Sequence, residues 1–168
     1  MTRFILIFLA IIFITLLHLG FLPSILGGNF FYLHLPLLFI VFVSFFAALD
    51  LGVFAVSMLG LFLDLYSPLF FGFYSLVFII TILIIKFFIF NFFQHKNFFS
   101  LLLSSSIGLI VFHLFSLGYN FLSLGSSAFN PHYLVVFFYQ LLFHSLFVVL
   151  ASLTPNPLGR QLKNQVIS

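Results

Sequence analysis

The segment Leu59–Leu76, LGLFLDLYSPLFFGFYSL, joins two apolar stretches through a short polar turn and carries the carboxylic acid Asp64. Ser67 and Pro68 occupy the turn, and Gly72 follows it. Serine is a favoured N-cap residue and proline a favoured first helical residue, so Ser67-Pro68 predicts the start of a helix. The segment therefore predicts a hairpin of two apolar helices, with an acidic group one turn before the second.

The composition around this hairpin is that of a protein whose solvent is lipid. Of the 168 residues, 64% are hydrophobic and 4% are charged, and the mean hydropathy is +1.39. A soluble domain carries about 25% charged residues, so this chain lacks the charges that would cover a water-facing surface. Cysteine is absent, which excludes disulfides, thiolate metal sites and a cysteine nucleophile. We therefore predict an all-α integral membrane protein.

Six apolar stretches predict a six-helix transmembrane bundle. A spanning helix needs about 20 apolar residues, and the second and third stretches are shorter than that, so we expect a tight hairpin with a short third helix. The bundle forms a single transmembrane domain, residues 1–153, followed by a short cytoplasmic tail, residues 154–168. The predicted spans are Phe4–Leu22, Leu33–Leu49, Leu51–Tyr66, Phe70–Phe93, Phe98–Leu122 and Tyr133–Leu153.

Positive charges orient these spans. Cytoplasmic segments are enriched in Lys and Arg, and a six-span topology places Arg3, Lys96, Arg160 and Lys163 all on one side. Lys86, within the fourth span, can extend its ammonium group towards that side. Both termini are therefore expected in the cytoplasm. No small-x-small cleavage site follows the first stretch, which favours an uncleaved helix over a signal peptide. The cations form no basic patch, which argues against nucleic-acid binding.

The two acids, Asp50 and Asp64, lie at opposite ends of the third predicted helix. At about 1.5 Å per residue they would be about 21 Å apart, too far for an acid–base pair. We expect Asp50 either to pair with Lys86 or to face cytoplasmic water. We expect the Asp64 carboxylate to accept hydrogen bonds from the free N–H groups that begin the following helix, which would fix the hairpin. A proton relay and a partner contact are the alternatives for Asp64.

Histidines and serines within the spans are candidates for other chemistry. His113 and His144 fall at similar depth in the fifth and sixth spans, where they could ligate a haem or, as we favour, form interhelical hydrogen bonds. Ser104 lacks the G-x-S-x-G context of a serine nucleophile. Ser104 with Gly108, and Gly60 on the third helix, are typical of close helix packing. No motif indicates an enzyme, a cofactor or a metal site.

The hairpin resembles the bacterial rod shape-determining protein MreD family over Leu51 to about Leu83. In that family a glycine-bearing short helix ends in Asp, and a polar turn leads to a glycine that opens the next helix. The residues that carry the resemblance are Gly60, Asp64, Leu65, Ser67, Pro68, Gly72 and Tyr74. Two positions depart from the pattern: Asp50 stands at an inner turn that is often basic, and Pro68 replaces a small residue.

The resemblance implies a function and a fold. MreD-like proteins are inner-membrane components of the cell-wall elongation machinery, with no known enzymatic activity. Their neighbours are MreC-like proteins, the RodA-like polymerase, its transpeptidase partner and, indirectly, the actin-like MreB. The chain would then be a scaffold or regulator that binds membrane proteins within the bilayer.

The fold of that family is similar to the substrate-binding subunits of energy-coupling-factor vitamin transporters. This similarity gives an alternative function, a vitamin-binding membrane subunit of such a transporter. It would need a pocket that opens to the outer side. The residues that could line this pocket are Tyr32, His34, Asp64, Asn120 and His132.

Overall fold

The computed structural model describes residues 2–26, 34–92, 98–124 and 132–153, and these ranges contain helices and turns but no strand. The prediction of an all-α chain is confirmed for this part. The helices are α1 (Thr2–Leu16), α2 (Leu22–Leu26), α3 (Leu35–Phe46), α4 (Leu49–Asp64), α5 (Phe73–Asn91), α6 (Phe98–Leu124) and α7 (His132–Leu153), with a π-helical turn, Leu17–Phe21, between α1 and α2. The predicted tail, with Arg160 and Lys163, lies outside the described residues, as do Tyr32 and Lys96.

Among the described residues, four helical segments are long and apolar enough to cross a membrane: Ile7–Ser24, Phe73–Asn91, Phe98–Ser123 and Tyr133–Ala151. By contrast, α3 has 12 residues and α4 has 16. Straight helices of these lengths rise about 18 and 24 Å, less than the hydrocarbon core of about 30 Å. The four long segments make the described residues compatible with a multi-pass membrane protein. We expected α4 to be short, and α3 is shorter still.

The first span was expected to end at Leu22, but helical structure continues to Leu26. The π-helical turn ends at Phe21, two residues before Pro23, and the N–H of Leu22 donates to the carbonyl of Leu17. A proline is tolerated in the first turn of a helix because the N–H it lacks would have no partner there. The shifted hydrogen bonds of the π turn thus let the chain pass Pro23 without leaving the helix.

The start of α5 differs from the prediction as well. The helix begins at Phe73, whereas Ser67-Pro68 predicted a start several residues earlier. The N-cap residue is Gly72, whose φ of 96° lies in the left-handed region that glycine adopts most readily. This backbone turn ends the irregular segment and sets the direction of α5.

The best-packed part of the bundle is formed by α3, α4, α5 and α6, with α5 in contact with the other three. α1 packs against α4, and α7 packs mainly against α6. The side chains buried between these helices are mostly aliphatic or aromatic, including Leu37, Ile40, Val56, Leu59, Val77, Phe78, Ile82 and Leu109. Large apolar side chains also cover much of α1 and α7, as expected for helices that face lipid.

Candidate functional site

The Asp64 carboxylate is buried, with 4% of the residue exposed, and it binds the beginning of α5. Its Oδ1 accepts a hydrogen bond from the Tyr74 N–H at 2.8 Å. Its Oδ2 accepts from the Ser75 N–H at 3.2 Å and from the Ser75 hydroxyl at 2.7 Å. Tyr74 and Ser75 are the second and third residues of α5, whose N–H groups have no partner within the helix. The expectation that Asp64 reaches these N–H groups is confirmed.

Asp64 performs the task that an N-cap side chain usually performs. Gly72 occupies the N-cap position and has no side chain with which to accept a hydrogen bond. The carboxylate that replaces it comes from the last residue of α4. Its negative charge lies at the positive end of the α5 dipole, where an anion is stabilised. The last turn of α4 and the first turn of α5 are thereby fastened to each other.

Gly60 allows the two helices to approach closely enough for this contact. A Cβ atom on Gly60 would lie 2.4 Å from the Cα atom and 2.6 Å from the backbone nitrogen of Ser75. Real Cβ atoms do not come so close to backbone atoms. Only glycine therefore fits this crossing point, one helical turn before Asp64. We call Gly60, Asp64, Gly72, Tyr74 and Ser75 the Asp64 joint.

Ser67 and Pro68 shape the turn between the helices and do not cap α5. The Ser67 hydroxyl oxygen accepts a hydrogen bond from the Leu69 N–H at 3.1 Å, and the Ser67 N–H donates to the Asp64 carbonyl at 3.4 Å. Pro68 is exposed in the bend that follows. Both residues therefore belong to the connection, and their predicted role as helix start is wrong because the left-handed turn at Gly72 intervenes.

Lys86 is buried near the other end of α5, with 6% of the residue exposed. Its Nζ donates to the carbonyl of Ala47 at 2.6 Å and lies 6.0 Å from the centre of the Phe90 ring. Ala47 is the C-cap of α3, where unpaired carbonyls favour a cation. Asp50 is exposed in the first turn of α4, which begins just after Ala47. Lys86 thus reaches the turn that precedes Asp50, and its contact there is the backbone carbonyl of Ala47.

His113 and His144 each link two helices. The Nε2 of His113 donates to Oε1 of Gln140 at 2.9 Å, which joins α6 to α7. The Nε2 of His144 donates to the carbonyl of His34 at 3.2 Å, which joins α7 to α3. The interhelical hydrogen bonds that we favoured for these histidines are confirmed. Within the described ranges, no three His or Asp residues are placed to hold a metal ion.

An apolar groove of about 440 Å³ opens beside the Asp64 joint, between the first half of α5 and the second half of α6. Its walls are Phe70, Phe73, Leu76, Val77, Leu114, Phe115, Gly118, Tyr119 and Leu122. None of the residues suggested for a vitamin pocket lines this groove. The Asp64 carboxylate instead accepts hydrogen bonds from α5, and Asn120 donates to the Tyr133 hydroxyl at 3.0 Å. The side chains of Tyr32 and His132 lie outside the described part of the chain.

Sequence reasoning missed several residues that make these contacts. Ser75 supplies two of the three donors to Asp64, and its signal is its place three residues after a glycine cap. Gln140 lies one helical turn before His144 on α7, a spacing that puts both on one face. His34 precedes a Leu-Pro pair at the start of α3, and its Nδ1 accepts the Leu37 N–H at 3.2 Å as an N-cap.

Comparisons of the chain with family models, with curated proteins and with solved structures found no match. The features that bear on function are therefore those of the chain itself. They are the Asp64 joint, the buried Lys86, the interhelical histidines and the apolar surface.

Proposed function

We propose that this chain is a scaffold or regulatory component of the bacterial cell-wall elongation machinery, similar to MreD, in the inner membrane. The observation that carries the proposal is the Asp64 joint. Gly60, Asp64 and Gly72 were singled out by the resemblance, and each has a distinct task at one contact between α4 and α5. One glycine permits close approach, the carboxylate caps α5 and the other glycine turns the chain. These three tasks give a physical reason for the motif.

The proposed topology has six spans with both termini in the cytoplasm. α3 and α4 would then cross the bilayer as a short, tilted hairpin, with a fold similar to the energy-coupling-factor substrate-binding subunits. The positions of the two buried charges support this arrangement. Lys86 reaches the turn between α3 and α4, and Asp64 holds the turn between α4 and α5. The Lys86 end would face the cytoplasm and the Asp64 joint the outer side.

The proposed activity is the binding of membrane proteins and not a reaction. Both carboxylate oxygens of Asp64 already accept hydrogen bonds from α5, so the role of this buried acid is to hold α4 and α5 together. The exposed apolar faces of α1 and α7 and the groove beside the joint offer lipid-embedded surfaces for packing against partner helices. The proposed partners are the MreC-like protein, the RodA-like polymerase and its transpeptidase, and indirectly MreB.

Affinity purification of the tagged chain from its own membranes tests the proposal. We expect the MreC-like and RodA-like proteins to copurify, and we expect rod-shaped cells to become round when the chain is depleted. Asp64→Ala should reduce partner recovery, and Asp50→Ala, which makes the same change at an exposed acid, is the matched control. The amount of each variant in the membrane and its melting temperature separate lost binding from lost folding.

Two results would contradict the scaffold function. One is unchanged cell shape after depletion together with no elongation protein in the purified sample. The other is a vitamin that copurifies at about one molecule per chain, measured by mass spectrometry, which would favour the transporter alternative. Genes for actin-like and MreC-like proteins directly upstream would support the scaffold.

A further inference from the structure

His34 is a buried residue that holds the beginning of α3 and one side of α7. Its Nδ1 accepts the Leu37 N–H at 3.2 Å, and its carbonyl accepts the same N–H at 3.1 Å. The carbonyl also accepts the Nε2–H of His144 at 3.2 Å. Its ring lies 5.2 Å from the ring of His18 and 4.5 Å from that of Phe112. Contacts from the π turn, α3, α6 and α7 thus meet at one residue.

The hydrogen bond to Nδ1 of His34 requires a neutral ring, whereas a neutral or a protonated His144 ring can donate through Nε2. The Nδ1 of His34 accepts a hydrogen bond, so it carries no proton. His144 donates through Nε2, and its Nδ1 is buried with no hydrogen-bond partner among the described residues. A proton on His34 Nδ1 would remove the cap of α3. A proton on His144 Nδ1 would bury a charged N–H for which the described residues supply no acceptor, which is costly.

The groups around the two rings oppose a positive charge. His18 on the π turn and His113 on α6 are within electrostatic reach of His34, and His113 is also within reach of His144. From α5, the ring of Phe78 lies 6.4 Å from that of His34. The chain has two acids: Asp64 accepts hydrogen bonds from the start of α5, and Asp50 lies near the opposite end of α3. Protonated histidines here would repel one another.

We propose that His34 and His144 form a pH-sensitive latch that fastens α7 to α3 while both rings are neutral and releases it when they are protonated. The packing of α7 is compatible with release, because α7 otherwise contacts mainly α6 and much of its surface is exposed. The sign follows from the lost Nδ1 acceptor of His34 and from the unpaired charge that protonation would bury at Nδ1 of His144, so the latch is closed at high pH and opens as pH falls. This inference concerns the conformation of the chain and stands independently of the proposed function.

Paired spin labels measure the latch in the whole protein in lipid nanodiscs. The chain has no cysteine, so introduced cysteines are the unique attachment sites. Leu83→Cys with Leu142→Cys reports the distance from α5 to α7, and Phe54→Cys with Leu83→Cys is the control pair on α4 and α5; all three positions are exposed. Spectra are recorded at about pH 8 and about pH 4, well to either side of the ordinary imidazole pKa near 6.5.

We expect the α5–α7 pair to gain a second, longer-distance population at the lower pH that disappears when the pH is restored. The α4–α5 control pair should keep its single distance. The double variant His34→Asn, His144→Gln should lose the response, because asparagine still caps α3 and glutamine still donates to the carbonyl, yet neither titrates.

An unchanged α5–α7 distance at the lower pH would overturn the proposal. A response that persists in the double variant would overturn it as well, because His18 or His113 would then be responsible. If the double variant does not fold, His144→Gln alone provides the comparison. It keeps the donor to His34 and should reduce the longer-distance population by at least about half, since one of the two titrating rings is gone.

Discussion

The α4–α5 hairpin buries one charge near each end, and the two charges are held in different ways. Asp64 is short, and both its oxygens bind donors in the first turn of α5. Lys86 is long, and its ammonium reaches a carbonyl of the α3–α4 turn. A short side chain needs its partners fixed to within a few tenths of an ångström, whereas a long one can adjust its rotamers. The Asp64 joint should therefore tolerate substitution less well than the Lys86 contact.

The largest effect is expected for Gly60→Ala. The new Cβ atom would lie 2.4 Å from the Cα of Ser75, and because a Cβ is fixed by its own backbone and the Cα is a backbone atom, α4 and α5 must separate. Overpacking of this kind costs about 3 kcal/mol or more of the free energy of unfolding, measured by denaturant titration in detergent. Gly118→Ala is the control, since its Cβ would meet nothing within 4 Å. Equal stability of the two variants would refute the close approach.

The second effect is that of Asp64→Ala, which removes the acceptor for three hydrogen bonds. The donors of Tyr74 and Ser75 would be left without partners in an apolar surrounding, at a cost of about 2 to 3 kcal/mol. Asp64→Asn keeps one acceptor oxygen and should lose about half as much. The order of the two stabilities is the test. If the asparagine variant were less stable than the alanine variant, the carboxylate would not be acting as a cap.

The sequence predicted the capping by Asp64 but misplaced the helix that it caps. A carboxylate close to a helix start is a local pattern, and so it could be recognised. Ser67-Pro68 is an equally good local signal for a helix start. The helix nevertheless begins later, because the backbone at Gly72 is left-handed. Gly60 was expected to serve packing, yet nothing local identifies Ser75 as the residue that it approaches.

The histidine contacts show the same limit more strongly. His144 and His34 are 110 positions apart in the chain, so no spacing rule connects them. That the histidines make interhelical hydrogen bonds could be predicted, because a polar group within an apolar helix needs a partner. Which atom accepts depends on how α3 and α7 pack, and a backbone carbonyl leaves no mark on the sequence.

Gly72→Ala tests the contribution of the turn without changing the Asp64 carboxylate. Its φ of 96° is unfavourable for a residue with a Cβ atom, at a cost of about 1 to 2 kcal/mol, although a Cβ would meet nothing within 4 Å. The loss should therefore be strain alone. Gly72→Asn should lose less, because asparagine adopts left-handed backbone more readily than alanine. Equal losses in the two variants, in the same unfolding assay, would count against a strained turn.

The smallest effect is expected for Lys86→Met. Methionine retains most of the apolar stem and removes the buried ammonium, so the lost hydrogen bond to Ala47 is partly offset by the desolvation that is no longer needed. We expect a change within about 1 kcal/mol in the free energy of unfolding, against a larger loss for Lys86→Ala, which leaves a cavity. A loss for Lys86→Met as large as that for Asp64→Ala would mean that the ammonium is held as firmly as the carboxylate. The difference between the two ends of the hairpin would then lie in the length of the side chains alone and not in how strongly their charges are bound.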